Sequence, residues 1–129
     1  MKDVKITLKT EYLLDGTFET FEYNGRLDTR NGCDYLQYEE ENQKVKTIIK
    51  ASANEAVISR SGEMKSTLKI IENGNFSTVY QTPYGPFPMC VCGVTVENRL
   101  QDGILKLEYR LENGAILAHN KILITLKEV

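Results

Sequence analysis

The sequence predicts an all-β protein, a single antiparallel up-and-down meander of about ten strands closed into a barrel. Three observations carry that expectation. Six of the nine glycines follow Asn or Asp, and such pairs take the positive φ that a tight hairpin turn demands. Between the turns, apolar residues recur at every second position, as in strands with one buried and one wet face. No long stretch keeps a helical period; residues 63–72 come nearest, and alternation fits them better.

The first strand, 3–14, places Val4, Ile6, Leu8, Tyr12 and Leu14 on one parity and Lys5, Thr7 and Lys9 on the other. Asp15-Gly16 turns the chain into 17–29, where the internal Asn24-Gly25 pair is expected to form a bulge in a long strand. Asn31-Gly32 leads to 33–41 and then 44–51, whose Lys44, Lys46 and Lys50 read as a wet face opposite the acidic run 39–41. Strands 55–61 and 64–72 follow, the second alternating Met64, Ser66, Leu68 and Ile70 with Lys65, Thr67 and Lys69. Asn73-Gly74 opens 75–83, a proline loop 83–88 overlaps the start of 87–100, and Asp102-Gly103 opens 104–112. There Leu105, Leu107, Tyr109 and Leu111 alternate with Lys106, Glu108 and Arg110, and Asn113-Gly114 leads to the last strand, 115–127. Turns this short join neighbours antiparallel, and a closed meander would leave no sheet edge.

A chain of 129 residues is one domain's length, so residues 1–129 are expected to form a single barrel. Sixteen basic against eighteen acidic residues give a formal charge of −2. With no basic surplus, neither nucleic acid nor a membrane surface is expected as a partner. The start, "MKDVKITLKTEY", alternates charged and apolar residues where a signal peptide needs an apolar run, which points to the cytoplasm. Cys33, Cys90 and Cys92 are then expected to be unbridged and metal-free. Cys90 and Cys92 lie two apart on one strand face, a spacing that suits neither an easy disulfide nor a zinc site. No cofactor is expected.

Four segments resemble a known family: "YLQYEEE" (35–41), "KVKTIIK" (44–50), "ISRSGEMKSTLKI" (58–70) and "YQTPYG" (80–85). They are similar to the YwiB-like family of uncharacterised bacterial proteins, which carry a domain-of-unknown-function label. The resemblance extends over essentially the whole chain and implies a lipocalin-like, calycin-type barrel. It implies no activity and supplies no catalytic residues. The segment "PFPMCVC" lies outside the shared pattern.

Placing the meander in space yields a candidate site. The turns 41–44, 61–64 and 83–88 must share one barrel end, while 52–55 and 72–75 share the other. Inward parity for Leu36 and Tyr38, Ala56 and Ile58, and Phe76, Thr78 and Tyr80 carries Glu40, Arg60 and Thr82 inward as well. Those residues converge beneath the proline loop. A buried Arg60 requires an acceptor, either Glu40 as a structural ion pair or a ligand's carboxylate or phosphate. If Val57 pointed inward instead, Arg60 would face solvent and the site would dissolve.

Pro83, Pro86 and Pro88 are the only prolines, and Pro cannot donate to a ladder. They are expected to stiffen a loop that turns at Gly85, with Tyr84 and Phe87 either covering the mouth or capping the core. Residues 39–41 are otherwise a solvated turn, and His119 in "LAHNKI" has no acid nearby in sequence, so it receives no catalytic role. No opposed carboxylate pair, phosphate loop, nucleophile elbow, metalloprotease helix or dinucleotide fingerprint occurs. An enzyme is therefore not expected.

The expected function is that of an uncharacterised cytoplasmic β-barrel binding a small anionic or amphipathic ligand at its mouth. Arg60 would anchor the charge, Tyr38, Tyr80 and Thr82 would hydrogen-bond, and Tyr84 and Phe87 would cover. The alternative is a protein-interaction or self-associating module with a filled barrel and no ligand. A ligand-sized cavity at the Arg60 end separates the two.

Overall fold

The computed structural model describes residues 1–40, 42, 44–63 and 65–129. Expectations that fall on Glu41, Gln43 and Met64 lie outside the described residues. Ten strands form: β1 (Lys2–Tyr12), β2 (Thr17–Arg30), β3 (Cys33–Glu40), β4 (Val45–Ala51), β5 (Glu55–Gly62), β6 (Ser66–Ile71), β7 (Asn75–Thr82), β8 (Gly85–Arg99), β9 (Ile104–Glu112) and β10 (Ile116–Glu128). One short 3-10 helix, Leu100–Asp102, joins β8 to β9. Every expected strand is present. The Asn-Gly and Asp-Gly turns explain why: at Asn31-Gly32, φ values of 53° and 77° turn β2 tightly into β3.

All ladders are antiparallel, in the order β6-β5-β4-β3-β2-β1-β10-β9-β8-β7. The first and last strands pair from Val4–Glu128 to Tyr12–Asn120, which joins the two halves of the sheet. Closure is not complete, however. Among the described residues β6 and β7 share no ladder, so the expectation of a barrel without edges is corrected to a nearly closed one. The cause is visible at Gly93, where the register of β8 against β9 shifts before Thr95. The Gly93 N–H donates to Gly74 O at 2.8 Å. A Cβ at Gly93 would lie 1.9 Å from Ile71 O. The end of β6 thus meets the flank of β8 instead of running beside β7.

Asn24-Gly25 is not a bulge. Gly25 stands in continuous register between Val4 on β1 and Tyr38 on β3. A Cβ there would meet Gln37 O at 2.4 Å and Ile6 Cδ1 at 2.6 Å. This glycine makes room for its neighbours' side chains, a use of Gly in strands distinct from turning.

The proline segment also differs from expectation. Pro86 and Pro88 are strand residues, opposite Gln81 and Val79 of β7, and only Pro83 and Tyr84 form the turn. Thr82 Oγ1 closes that turn, donating to Gly85 O at 2.7 Å and accepting from the Tyr84 N–H at 3.1 Å. β9 pairs with β8 only from Cys90 onward. Pro86 and Pro88 therefore sit where β8 has no second neighbour, and a missing N–H costs nothing on an open edge. Asn113 Nδ2 donates to Pro88 O at 2.8 Å, covering part of that edge. No peptide bond among the described residues is cis.

The barrel's two ends are unlike. At the end holding the chain termini, Val4, Leu27, Ile70, Val91, Val96 and Leu105 are buried. Leu100 of the 3-10 helix plugs them and is only 2% exposed, a burial that contributes about 2 kcal/mol. Asp34 ties this plug down, accepting from Thr29 Oγ1 at 2.7 Å, Asn98 Nδ2 at 3.0 Å and Gln101 Nε2 at 2.7 Å. The other end carries the hairpins at 13–16, 83–84 and 113–115 and has no such plug among the described residues. No helix among the described residues is long and apolar enough to cross a membrane.

Candidate functional site

Between the plugged base and the open end lies a cavity of about 660 Å³. Its floor is apolar, formed by Leu8, Ile49, Ile58, Leu68 and Ile122. Its upper wall is polar and aromatic. Five of the chain's seven tyrosines line it: Tyr12, Tyr23, Tyr38, Tyr80 and Tyr109.

Strand parity brings these groups together. β4 alternates strictly, with Val45, Thr47, Ile49 and Ala51 buried and the lysines between them exposed. Register then aligns Tyr38, Thr47, Arg60 and Ser66 in one row across β3, β4, β5 and β6. Arg60 follows Ala56 and Ile58 inward, and Glu40 follows Leu36 and Tyr38. Arg60 Nε donates to Glu40 Oε2 at 3.2 Å and Nη2 donates to Oε1 at 3.1 Å, a bidentate pair. Thr47 Oγ1 also donates to Glu40 Oε2, and Tyr23 OH donates to Oε1 at 3.5 Å. The carboxylate is thus held by three side chains from β2, β4 and β5. With side chains 28% and 14% exposed, Arg60 and Glu40 are far drier than an ordinary surface pair.

Tyr12, Tyr38, Tyr80 and Tyr109 stay neutral in this setting. Burial pushes the Tyr38 hydroxyl well above its usual range, and the Glu40 carboxylate adds to the rise. Burial raises Tyr80 and Tyr109 likewise. Tyr12 is raised by burial and by the neighbouring Glu19 carboxylate. Tyr23 and Tyr38 stack with ring centroids 4.7 Å apart.

Four of the seven candidates read from the sequence, Glu40, Arg60, Tyr38 and Tyr80, line this cavity. Thr82 does not; its hydroxyl is spent on the β7–β8 turn. Tyr84 is 100% exposed at the tip of that turn. Phe87 stands opposite Tyr80 in register but is 39% exposed and outside the lining. Sequence reasoning missed Tyr12, Tyr23, Tyr109 and Glu19. The signal was available, because Tyr12 shares the parity of Leu8, Tyr109 that of Leu107, and Tyr23 that of Leu27.

Two other sequence features lie outside the cavity. Cys90 and Cys92 are unbridged, with Sγ atoms 3.6 Å apart on the face opposite to buried Val91. Burial, then hydrogen bonds with Cys90 and Glu112, pushes the Cys92 thiol up to about 11, so it is protonated at neutral pH. Cys33 is free as well. Among the described residues no three His, Cys, Asp or Glu side chains are placed to hold a metal ion. His119 does have an acid partner, supplied by the next strand: its Nε2 lies 2.7 Å from Glu108 Oε2. That pair is not part of the cavity lining.

The class of protein so defined is a ten-stranded antiparallel β-barrel, plugged at one end and hollow at the other. The chain belongs to the family described as Domain of unknown function (DUF1934), whose model matches residues 6–124. It is similar to the "Uncharacterized beta-barrel protein YwiB" of Bacillus subtilis (strain 168), with 26% identity over 121 residues, 88% of this chain and 85% of that one. Its fold matches the crystal structure of the ywiB protein from Bacillus subtilis with a TM-score of 0.82. That match, at 22% identity, covers 99% of this chain and 92% of the other.

Proposed function

We propose that this barrel binds a small amphipathic molecule in its open mouth, apolar end down. The supporting observation is the cavity itself: about 660 Å³, with an apolar floor beneath a ring of five tyrosines. Ligand pockets typically occupy roughly 300–1,000 Å³ and combine apolar walls with a few fixed polar groups. A lipocalin-like ancestry, as the sequence resemblance implies, fits the same use. An anionic head is the weaker half of the sequence-based expectation. Glu40 already takes two donors of Arg60, so an anion would have to displace a carboxylate held by Thr47 and Tyr23 as well. The free thiols of Cys33, Cys90 and Cys92 support a reducing, cytoplasmic setting.

The reading of a self-associating module draws on a different observation. Among the described residues, 17–24 of β2 pair with β1 alone, because β3 joins β2 only from Gly25, and an unpaired edge invites another strand. A binding test separates the two. The neutral fluorescent probe N-phenyl-1-naphthylamine should bind at one equivalent per chain, with a blue-shifted emission. Thr10→Trp, which fills the mouth, should abolish that binding, while Ser59→Trp on the outer face of β5 should leave it intact. Equal binding to Thr10→Trp, or none to the unaltered protein, would contradict the proposal.

A further inference from the structure

The mouth has two unlike walls. On one, the charge of Arg60 is matched by Glu40 at 3.1 Å. On the other, Tyr12, Tyr80 and Tyr109 line the cavity together with Glu19. Arg60 is the one basic side chain among the described lining residues, against two acids, Glu19 and Glu40. The formal charge of the lining is therefore −1, and the surplus belongs to Glu19. No described basic side chain forms an ion pair with Glu19, although Glu11 and Glu22 nearby in the same hairpin pair with Lys9 and Lys5.

The tyrosine wall is compact. Tyr12 and Tyr109 both stand opposite Asn120 of β10, one from each side, and Asn120 Nδ2 donates to Tyr109 OH at 3.2 Å. Tyr80 reaches the same region from β7. Aromatic faces carry negative quadrupole potential, which attracts ammonium ions most strongly where water is partly excluded. An anion here would face Glu19, which is solvent-exposed and paired with no described basic side chain. A cation would find three aromatic side chains and a carboxylate at once.

We infer that the head group of the ligand is an organic cation, a quaternary ammonium or protonated amine held by Tyr12, Tyr80, Tyr109 and Glu19. This rests on the amphipathic-ligand reading and assigns the polar end that reading leaves open. The tail would lie over Leu8, Ile58 and Ile122 on the cavity floor.

Three single-chain amphiphiles with the same dodecyl tail, measured by calorimetry below their micelle concentrations, test it: dodecyltrimethylammonium, dodecyl maltoside and dodecyl sulfate. The trimethylammonium compound should bind at least about fivefold more tightly than the maltoside, and the sulfate most weakly. Glu19→Gln should lower the cation's affinity about threefold or more and leave the maltoside's unchanged. Glu22→Gln, on the outward parity of the same strand, controls for the general field of an acidic protein and should alter neither. Equal affinities for the three heads, tightest binding of the sulfate, or equal losses in both variants would overturn the cationic head while leaving the amphipathic reading intact. If none of the three binds, both fall together.

Discussion

Arg60→Met should destabilise the protein by about 3 kcal/mol in chemical denaturation, the low end of the 3–5 kcal/mol seen when one member of a buried pair is removed. The low end applies because the Arg60 side chain keeps 28% exposure, so water partly compensates the stranded carboxylate. Glu40 would retain only the hydroxyls of Thr47 and Tyr23. Glu40→Gln in the same chain should recover most of the loss, since a neutral amide can keep hydrogen bonds to those hydroxyls at no charge penalty. The double-mutant cycle reads this directly as a coupling between the two sites. Additive losses would show that the pair contributes no mutual energy and that Arg60 is free to serve a ligand instead.

Gly93→Ala should be at least as damaging, at about 3 kcal/mol or more, which at this chain length lowers Tm by roughly 10 °C. The added Cβ would fall 1.9 Å from Ile71 O and 2.7 Å from Ile71 C. Those are backbone atoms, and no rotamer change moves them. Relief requires β6 and β8 to part, which sacrifices the hydrogen bond from Gly93 N–H to Gly74 O. Because that approach substitutes for the missing β6–β7 ladder, its loss opens the weakest place in the wall. A variant with unchanged Tm would show that β6 and β8 do not meet so closely.

Local rules made most of this fold legible. Turn chemistry and the period of two located every strand, and parity alone carried Glu40 and Arg60 to the same place although they are twenty residues apart. The failures share one cause. Gly25 and the prolines were read as local punctuation and Gly93 was not singled out, whereas their positions answer to neighbours distant in sequence. Gly25 yields space to Ile6 and Tyr38, and Gly93 yields it to Ile71. Pro86 and Pro88 lie beyond the end of β9, a length mismatch between strands that no single strand encodes. Phe87 was assigned to a lid for the same reason, since a loop was assumed where a strand continues, while Tyr84 does lie in the turn but stands fully exposed. Glu19 and three tyrosines were overlooked because the site was sought along only three strands, although Tyr12 and Tyr109 already stood on the apolar parity of theirs and Glu19 and Tyr23 share the parity of Leu27.

The tyrosines also provide the most direct test of a ligand in the mouth. Five line the cavity, while Tyr35 and Tyr84 do not; Tyr84 is fully exposed, and Tyr35 lies 4.7 Å beneath the Arg30 guanidinium. With ring-carbon-labelled tyrosine, a proton–carbon correlation spectrum resolves all seven during titration with N-phenyl-1-naphthylamine. The resonances of Tyr12, Tyr23, Tyr38, Tyr80 and Tyr109 should shift together and saturate at one equivalent, with Tyr35 and Tyr84 stationary. Shifts confined to Tyr35 or Tyr84, or an unchanged spectrum at saturating probe, would contradict a ligand-binding mouth.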